Sequence, residues 1–236
     1  MRPTNSFVFA LLAGFFVLLA APAAQAAPFT SFHGVFWNST VSSTPISTAA
    51  DYPTDANVDK IEHQKTAGSF DVSALNFNTK NLSSKFTYND FLTSNGATVA
   101  NSTGTTAKFV TGSDKHGMYG TIFKFTGEGY FNPANSISVT SDDGFSFYVL
   151  SSTGSVLYSY TAHASPQSAE KATFSTTGFA AGNYSFELNY GAVNGVPEVL
   201  QVNGLQAAVP EPSTVLLLGV CLIGFAIVSR KKPQRV

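Results

Sequence analysis

The stretch Asn183–Tyr190, "NYSFELNY", decides the fold class of this chain. Its apolar and polar side chains alternate strictly: Tyr184, Phe186, Leu188 and Tyr190 against Ser185, Glu187 and Asn189. In a β-strand successive side chains point to opposite faces, so a period of two separates a core face from a solvent face. We therefore predict a half-buried strand here.

The same alternation recurs through the middle of the chain. It appears in "TIFKFTG", "SISVTSDDG", "FSFYVL" and "SVLYSY", which lie between Thr121 and Tyr160 with Gly, Asn, Asp and Ser between them. "FDVSALNFN" (Phe70–Asn78) and "SKFTYNDF" (Ser84–Phe91) extend the pattern upstream, less regularly. No stretch shows an apolar period of 3.6 residues. Many short strands separated by turn residues predict an all-β chain folded as a single antiparallel β-sandwich.

Two polar segments are predicted to lie outside the main strands. Ser43–Lys60 is polar and contains proline, which predicts a long surface loop. Thr93–Thr106, "TSNGATVANSTGTT", fits either a loop or a weak edge strand.

The N-terminus has the three parts of a secretory signal. Arg2 supplies a positive charge, Phe7–Ala21 is an apolar run, and Ala24-Gln25-Ala26 is a small-x-small cleavage site. We predict a signal peptide over residues 1–26, followed by an exported ectodomain over residues 27–208.

The C-terminus combines an apolar run with a basic end. Val215–Val228 has no charged residue and is followed by Arg230, Lys231 and Lys232. Basic residues after an apolar segment keep that end on the cytoplasmic side of a membrane. We predict a transmembrane helix at about residues 213–229, with polar flanks completing a short span.

Three features stand in order in residues 209–236: Pro210-Glu211-Pro212, the apolar helix and the basic end. This tail resembles the PEP-CTERM sorting signal of bacteria. The resemblance implies recognition by an exosortase, an integral-membrane cysteine peptidase, and cleavage near the Pro-Glu-Pro motif. It further implies that the protein is anchored in the inner membrane only transiently and then reaches the cell surface or the extracellular matrix.

Composition excludes several classes of function for the ectodomain. The single cysteine, Cys221, lies in the C-terminal apolar run, so the ectodomain has neither a disulfide nor thiol chemistry. Its only basic residues besides histidine are eight lysines, which its acidic residues outnumber. We therefore expect no nucleic-acid partner.

The sharpest polar feature is Ser141-Asp142-Asp143-Gly144, between two predicted strands. Asp-Asp-Gly is common in turns, because aspartate side chains hydrogen-bond to nearby backbone. Paired carboxylates also supply the hard oxygen ligands that calcium prefers. The residues alone leave both interpretations open.

A second resemblance bears on this choice. Gly120 to about Gly204 is similar to the glycan-binding β-sandwich named after the anthrax protective antigen, through "TIFKFTGEGYFNPANSISVTSDDGFSFYVL" and "AAGNYSFELNYGAVNGVPEVLQVNG". The resemblance implies that Asp142 and Asp143 hold a calcium ion, often across a cis peptide bond, and that the ion contacts sugar hydroxyls. Asn194 is the corresponding candidate for a third ligand, although its register differs from the family pattern.

Other candidate residues carry less specific signals. Glu128, Glu187 and Glu198 raise the question of a glycosidase carboxylate pair, which sequence alone cannot show to converge. Trp37 and Tyr130 suit either sugar stacking or core packing. His33, His63, His116 and His163 have no metal-binding spacing.

Three hypotheses follow, in this order. The first is an exported, non-catalytic binding module for extracellular polysaccharide that depends on calcium. The second is a structural protein of the extracellular matrix or biofilm in which Asp142-Asp143-Gly144 only shapes a turn. The third is a glycosidase-like enzyme.

Overall fold

The computed structural model describes residues 31–38, 66–82, 85–110, 113–114, 117–118, 120–162, 168–192 and 197–208. These belong to one compact unit that spans Ala27–Ala208. The predicted signal peptide, the C-terminal tail with its helix at 213–229, and the segment 43–60 lie outside the described residues. Within the described part, no helix has the length and apolar character needed to cross a membrane.

The unit is built from fourteen described strands and one short helix. The strands are β1 Phe32–Asn38, β2 Gly68–Val72, β3 Asn76–Asn78, β4 Val99–Thr103, β5 Ser113–Asp114, β6 Gly117–Met118, β7 Thr121–Phe131, β8 Ser136–Asp142, β9 Phe145–Leu150, β10 Val156–Ala162, β11 Glu170–Ser175, β12 Gly182–Ala192, β13 Val199–Asn203 and β14 Gln206–Ala207. The helix, α1, is Tyr88–Thr93.

The strands form two main antiparallel sheets. The large sheet has the order β10-β9-β12-β7-β1-β2-β4, with β14 also paired to β7. The small sheet has the order β11-β8-β13-β3, and β5 and β6 form a separate two-stranded ribbon. This architecture confirms the predicted antiparallel β-sandwich.

Aromatic side chains hold the two sheets together. Phe174 of β11 lies 5.4 Å from Phe147 of β9, and Phe77 of β3 lies 5.8 Å from Phe125 of β7, measured between ring centroids. All four rings are buried. Burying one such ring contributes about 1.5–3 kcal/mol, so the core between Phe32 and Leu200 gives this unit its own source of stability.

The strand that decides the fold forms as its alternation predicts, but its polar face is not exposed to solvent: Glu187 is 9% exposed and Asn189 is fully buried. β12 pairs with β7 from Gly182↔Phe131 to Ala192↔Thr121, and on its other side with β9. Phe186, Leu188 and Tyr190 lie in the hydrophobic core. Strand β12 is therefore central to the large sheet.

The prediction of a strand over Ser84–Phe91 was wrong for its described residues, which form no strand beyond an isolated β-bridge between Thr87 and Lys108. Thr87 is the N-cap of helix α1 and Asp90 completes a capping box: Asp90 N donates to Thr87 Oγ1 at 3.2 Å, and Thr87 N donates to Asp90 Oδ2 at 2.8 Å. The helix buries Tyr88, Phe91 and Leu92, which stand at the helical spacing i, i+3, i+4. Six residues are too few for that period to stand out in the sequence.

Thr93–Thr106 contains the weak edge strand that was one of its two interpretations. Strand β4 occupies Val99–Thr103 and exposes most of its side chains. Among the described strands it pairs only with β2. Asn101 has a positive φ of 47°, near the point where the register between β2 and β4 shifts.

The topology brings several strand ends to one end of the sandwich. Strand β8 of the small sheet ends at Asp142, and strand β9 of the large sheet begins at Phe145. The connection therefore crosses between the sheets. Gly191 N near the end of β12 donates to Gly144 O at 3.0 Å, and Val199 at the start of β13 pairs with Asp142.

Candidate functional site

The two aspartates lie together in the crossover between the sheets. Asp142 is the last residue of β8 and is 4% exposed, while Asp143 is fully buried. The peptide bond between them is cis, as the resemblance to the glycan-binding β-sandwich implied. Their depth separates them from an ordinary surface turn, in which aspartates are solvated.

The environment of Asp142 is unfavourable for a negative charge. Burial, and then the neighbouring charge of Asp143, raise the pKa of the Asp142 carboxyl from 3.8 to about 7, against an opposing hydrogen bond from the backbone of Ala169. Asp142 Oδ1 is buried and has no hydrogen-bond partner among the described residues. A buried polar atom without a partner is costly.

A tyrosine and a glutamate support the crossover from the core side. The Tyr190 hydroxyl donates a hydrogen bond to the backbone carbonyl of Asp142 and lies 3.0 Å from Glu198 Oε2. Both side chains are fully buried. Two hydrogen bonds connect the backbone of Glu198 to Thr79. Glu198 N donates to Thr79 Oγ1 at 2.6 Å, and Thr79 N donates to Glu198 O at 2.9 Å.

Sequence reasoning missed this supporting pair. The alternation in β12 places Tyr190 on the core face but does not show which residues its hydroxyl contacts. Glu198 was considered only as a catalytic carboxylate. The one available signal was a glutamate next to the buried strand β13, because an ionisable side chain in such a position requires a polar partner.

The donor set fits a hard cation in part. Asp142 and Asp143 supply adjacent carboxylates, and Asp142 Oδ1 is the buried atom that lacks a partner. No group of three or more His, Cys, Asp or Glu side chains suited to a metal occurs in the described part of the chain. Carbonyl, amide or ligand oxygens would therefore complete the coordination of a calcium ion. Asn194, the predicted third ligand, lies outside the described residues.

Of the three glutamates considered for catalysis, Glu187 and Glu128 lie on strands of the large sheet, and Glu198 lies beside the crossover. Glu187 lies on β12 and its carboxylate forms an ion pair with Lys124 Nζ at 2.7 Å. It also accepts a hydrogen bond from Asn189 Nδ2 at 2.7 Å. Glu128 is exposed on β7, and Glu198 belongs to the buried crossover. Glu187 is thus engaged in a structural contact on the outer face of the large sheet.

Among the remaining aromatic and histidine candidates, the structure describes Trp37 and His33 on β1 and Tyr130 on β7. Trp37 on β1 is 3% exposed, and its Nε1 has no hydrogen-bond partner among the described residues. Tyr130 is half-buried on β7. His33 Nδ1 lies 2.9 Å from Asp71 Oδ1 at the surface, while the other three histidines lie outside the described residues.

The tail matches a family model described as the PEP-CTERM protein-sorting motif over residues 208–231. This match contains Pro210, Glu211 and Pro212, and it confirms the predicted sorting motif. No curated protein matches the chain.

Several solved structures are similar to this chain. A PA14 sugar-binding domain from an RTX adhesin is 16% identical, with a TM-score of 0.45, and the match covers 73% of this chain and 88% of that one. The PA14 domain of the MpAFP antifreeze protein is 15% identical, with a TM-score of 0.44, covering 79% and 95%. The A domain of epithelial adhesin 9 from Candida glabrata, in complex with Galb1-4GlcNAc, is 11% identical, with a TM-score of 0.37, covering 81% and 96%.

Proposed function

We propose that residues 27–208 form an exported, non-catalytic module that binds an extracellular glycan through a calcium ion held by Asp142 and Asp143. The observation that carries the proposal is the pair of adjacent, buried carboxylates, with Asp142 Oδ1 lacking a partner among the described residues. Asn194 is proposed as a further ligand on the strength of the sequence resemblance.

Electrostatics supports a cation at this position. Two carboxylates that are both buried repel one another, and the pKa of Asp142 rises because its ionised form is disfavoured. A bound calcium ion would supply the opposite charge together with open coordination positions for ligand oxygens. Asp142 and Asp143 would hold that ion at the end of a rigid sandwich, where both main sheets fix its position.

A glycan suits both the chemistry and the destination of the protein. Neighbouring hydroxyls of a sugar ring are neutral oxygen ligands, which a calcium ion accepts in addition to carboxylates. The sorting motif at residues 208–231 supports processing by an exosortase and delivery to the cell surface. Extracellular polysaccharide is therefore the ligand class that we propose.

A structural matrix protein is the second candidate. It is favoured by the backbone role of the crossover, in which Gly191 N donates to Gly144 O and Val199 pairs with Asp142. In that case Asp142, Asp143 and Gly144 would only connect the two sheets. The first candidate binds its ligand only with calcium, whereas the second has no ligand site.

The proposal is tested by screening residues 27–208 against immobilised bacterial polysaccharides, with calcium and with excess chelator. We expect binding to at least one polysaccharide in calcium, its loss in chelator, and its loss in an Asp142→Asn variant. A Glu128→Gln variant serves as the matched control, because it removes one exposed carboxylate from β7. Binding that survives both chelation and Asp142→Asn would refute the calcium site.

A further inference from the structure

The Tyr190 hydroxyl contacts two oxygens that belong to different strands. One is the backbone carbonyl of Asp142 at the end of β8, and the other is Glu198 Oε2, 3.0 Å away, just before β13. The Tyr190 ring is fixed by the core, with centroid distances of 6.0 Å to Phe123 and 6.3 Å to Phe91. The packing of the ring therefore holds the hydroxyl close to these two oxygens.

The Tyr190 hydroxyl is the donor in both contacts. One hydroxyl proton can be shared between two acceptors in a three-centre hydrogen bond. The Asp142 carbonyl and the Glu198 carboxyl are therefore connected through a single buried hydroxyl.

The position of Glu198 is itself fixed from two sides. Its backbone is tied to Thr79 by reciprocal hydrogen bonds, and the next residue, Val199, pairs with Asp142 in the small sheet. Glu198 thus contacts β12 through its side chain and the residue that follows β3 through its backbone, directly beside the pairing of Val199 with the end of β8. A fully buried carboxyl in this position stabilises the fold only if it is hydrogen-bonded.

We propose that Tyr190 and Glu198 are positioning residues that hold the Asp142–Asp143 backbone in the geometry the ligand site requires, with Tyr190 donating to the Asp142 carbonyl and Glu198 accepting from the same hydroxyl. This inference rests on the proposed function where it concerns ligand affinity. The effect on the backbone is independent of any ligand. Neither residue touches the ligand in this account, because both act through the carbonyl of Asp142.

The test compares Tyr190→Phe with Tyr88→Phe in residues 27–208. Both tyrosines are fully buried, but the Tyr88 hydroxyl bonds to Asn38 at 2.9 Å and Thr121 at 2.8 Å instead of to the crossover. In chelator, we expect Tyr190→Phe to accelerate amide hydrogen exchange at residues 141–145 by about tenfold relative to Tyr88→Phe, since losing one buried hydrogen bond changes an opening equilibrium by about that factor. Equal exchange in the two variants would overturn the inference.

A second measurement separates this inference from the proposed function. If the wild-type protein binds calcium, we expect its affinity to fall by about tenfold in Tyr190→Phe and by much less in Tyr88→Phe. A wild-type protein that binds no calcium would refute the proposed function, while the exchange comparison would still decide the positioning role.

Glu198→Gln tests the part that Glu198 plays. Glutamine keeps a side-chain oxygen that can accept from the Tyr190 hydroxyl, so we expect exchange at residues 141–145 close to that of the wild type. Exchange as fast as in Tyr190→Phe would contradict a positioning role for Glu198 through that oxygen.

Discussion

At the scale of single residues, the ionisation of Asp142 links the site to pH. Its pKa in the folded protein is about 7, because of burial and then the charge of Asp143, against 3.8 for an ordinary aspartate. Between these two values the folded protein holds a proton that the unfolded chain has released. The free energy of unfolding without calcium therefore falls as the pH rises from about 4 to about 7.

This shift predicts a specific difference between variants. In chelator, the wild-type ectodomain should lose on the order of 1 kcal/mol of stability between pH 5.5 and pH 8, and Asp142→Asn should lose much less. The pKa of Asp71 is lowered by hydrogen bonds from Asn101 and His33, so Asp71 acts below this window. Urea unfolding at the two pH values measures the difference. The same slope in both proteins would contradict the account.

The two aspartates could be identified as candidates from the sequence, but the residues that support them, Tyr190 and Glu198, could not. Asp142 and Asp143 are adjacent in the chain, so their pairing is a local fact that the sequence displays. Tyr190 and Glu198 meet Asp142 only because the ends of β8 and β12 and the start of β13 converge. Alternation assigns a residue to a face of a strand, and it carries no information about which strand ends meet.

At the scale of elements, the strands with strict alternation were predictable because burial of one face follows from their pattern. The short helix α1 was not, because its signal is a capping box and three buried side chains within six residues. Thr87 is the residue on which this helix depends. Its hydroxyl accepts from Asp90 N and donates to Asp90 Oδ2 at 2.8 Å.

The cap gives the second stability prediction. Thr87→Ala removes both side-chain contacts to Asp90 and should lower the free energy of unfolding by about 1 kcal/mol. Thr106→Ala, at an exposed position in a turn, is the matched control and should be nearly neutral. Chemical denaturation of the two variants measures this. Equal stability would show that the capping box does not stabilise the helix.

At the scale of the whole molecule, the chain combines a self-contained sandwich with a sorting motif. The fold class was predictable, since alternation and turn residues recur along the ectodomain. The division of strands between two sheets was not, because the large sheet joins strands as distant in sequence as β2 and β10. Such an order depends on non-local pairing, which a single sequence does not reveal.

The sorting motif predicts how the protein is processed. In cells with an active exosortase, the secreted protein should lack the residues beyond Pro212, whereas a variant with alanines in place of Pro210, Glu211 and Pro212 should retain them. Mass spectrometry of the C-terminal peptide distinguishes the two forms. A full-length tail on secreted wild-type protein would refute processing by exosortase.

The central claim is that Asp142 and Asp143 hold a calcium ion, and thermal unfolding of residues 27–208 tests it most directly. A ligand bound only by the folded state should raise the melting temperature by about 5–10 °C when calcium exceeds its dissociation constant about 100-fold. We expect this rise in calcium, its reversal by excess chelator, and its absence in Asp142→Ala. Identical melting of the wild-type protein in calcium and in chelator would contradict the claim and leave Asp142-Asp143-Gly144 as a structural crossover.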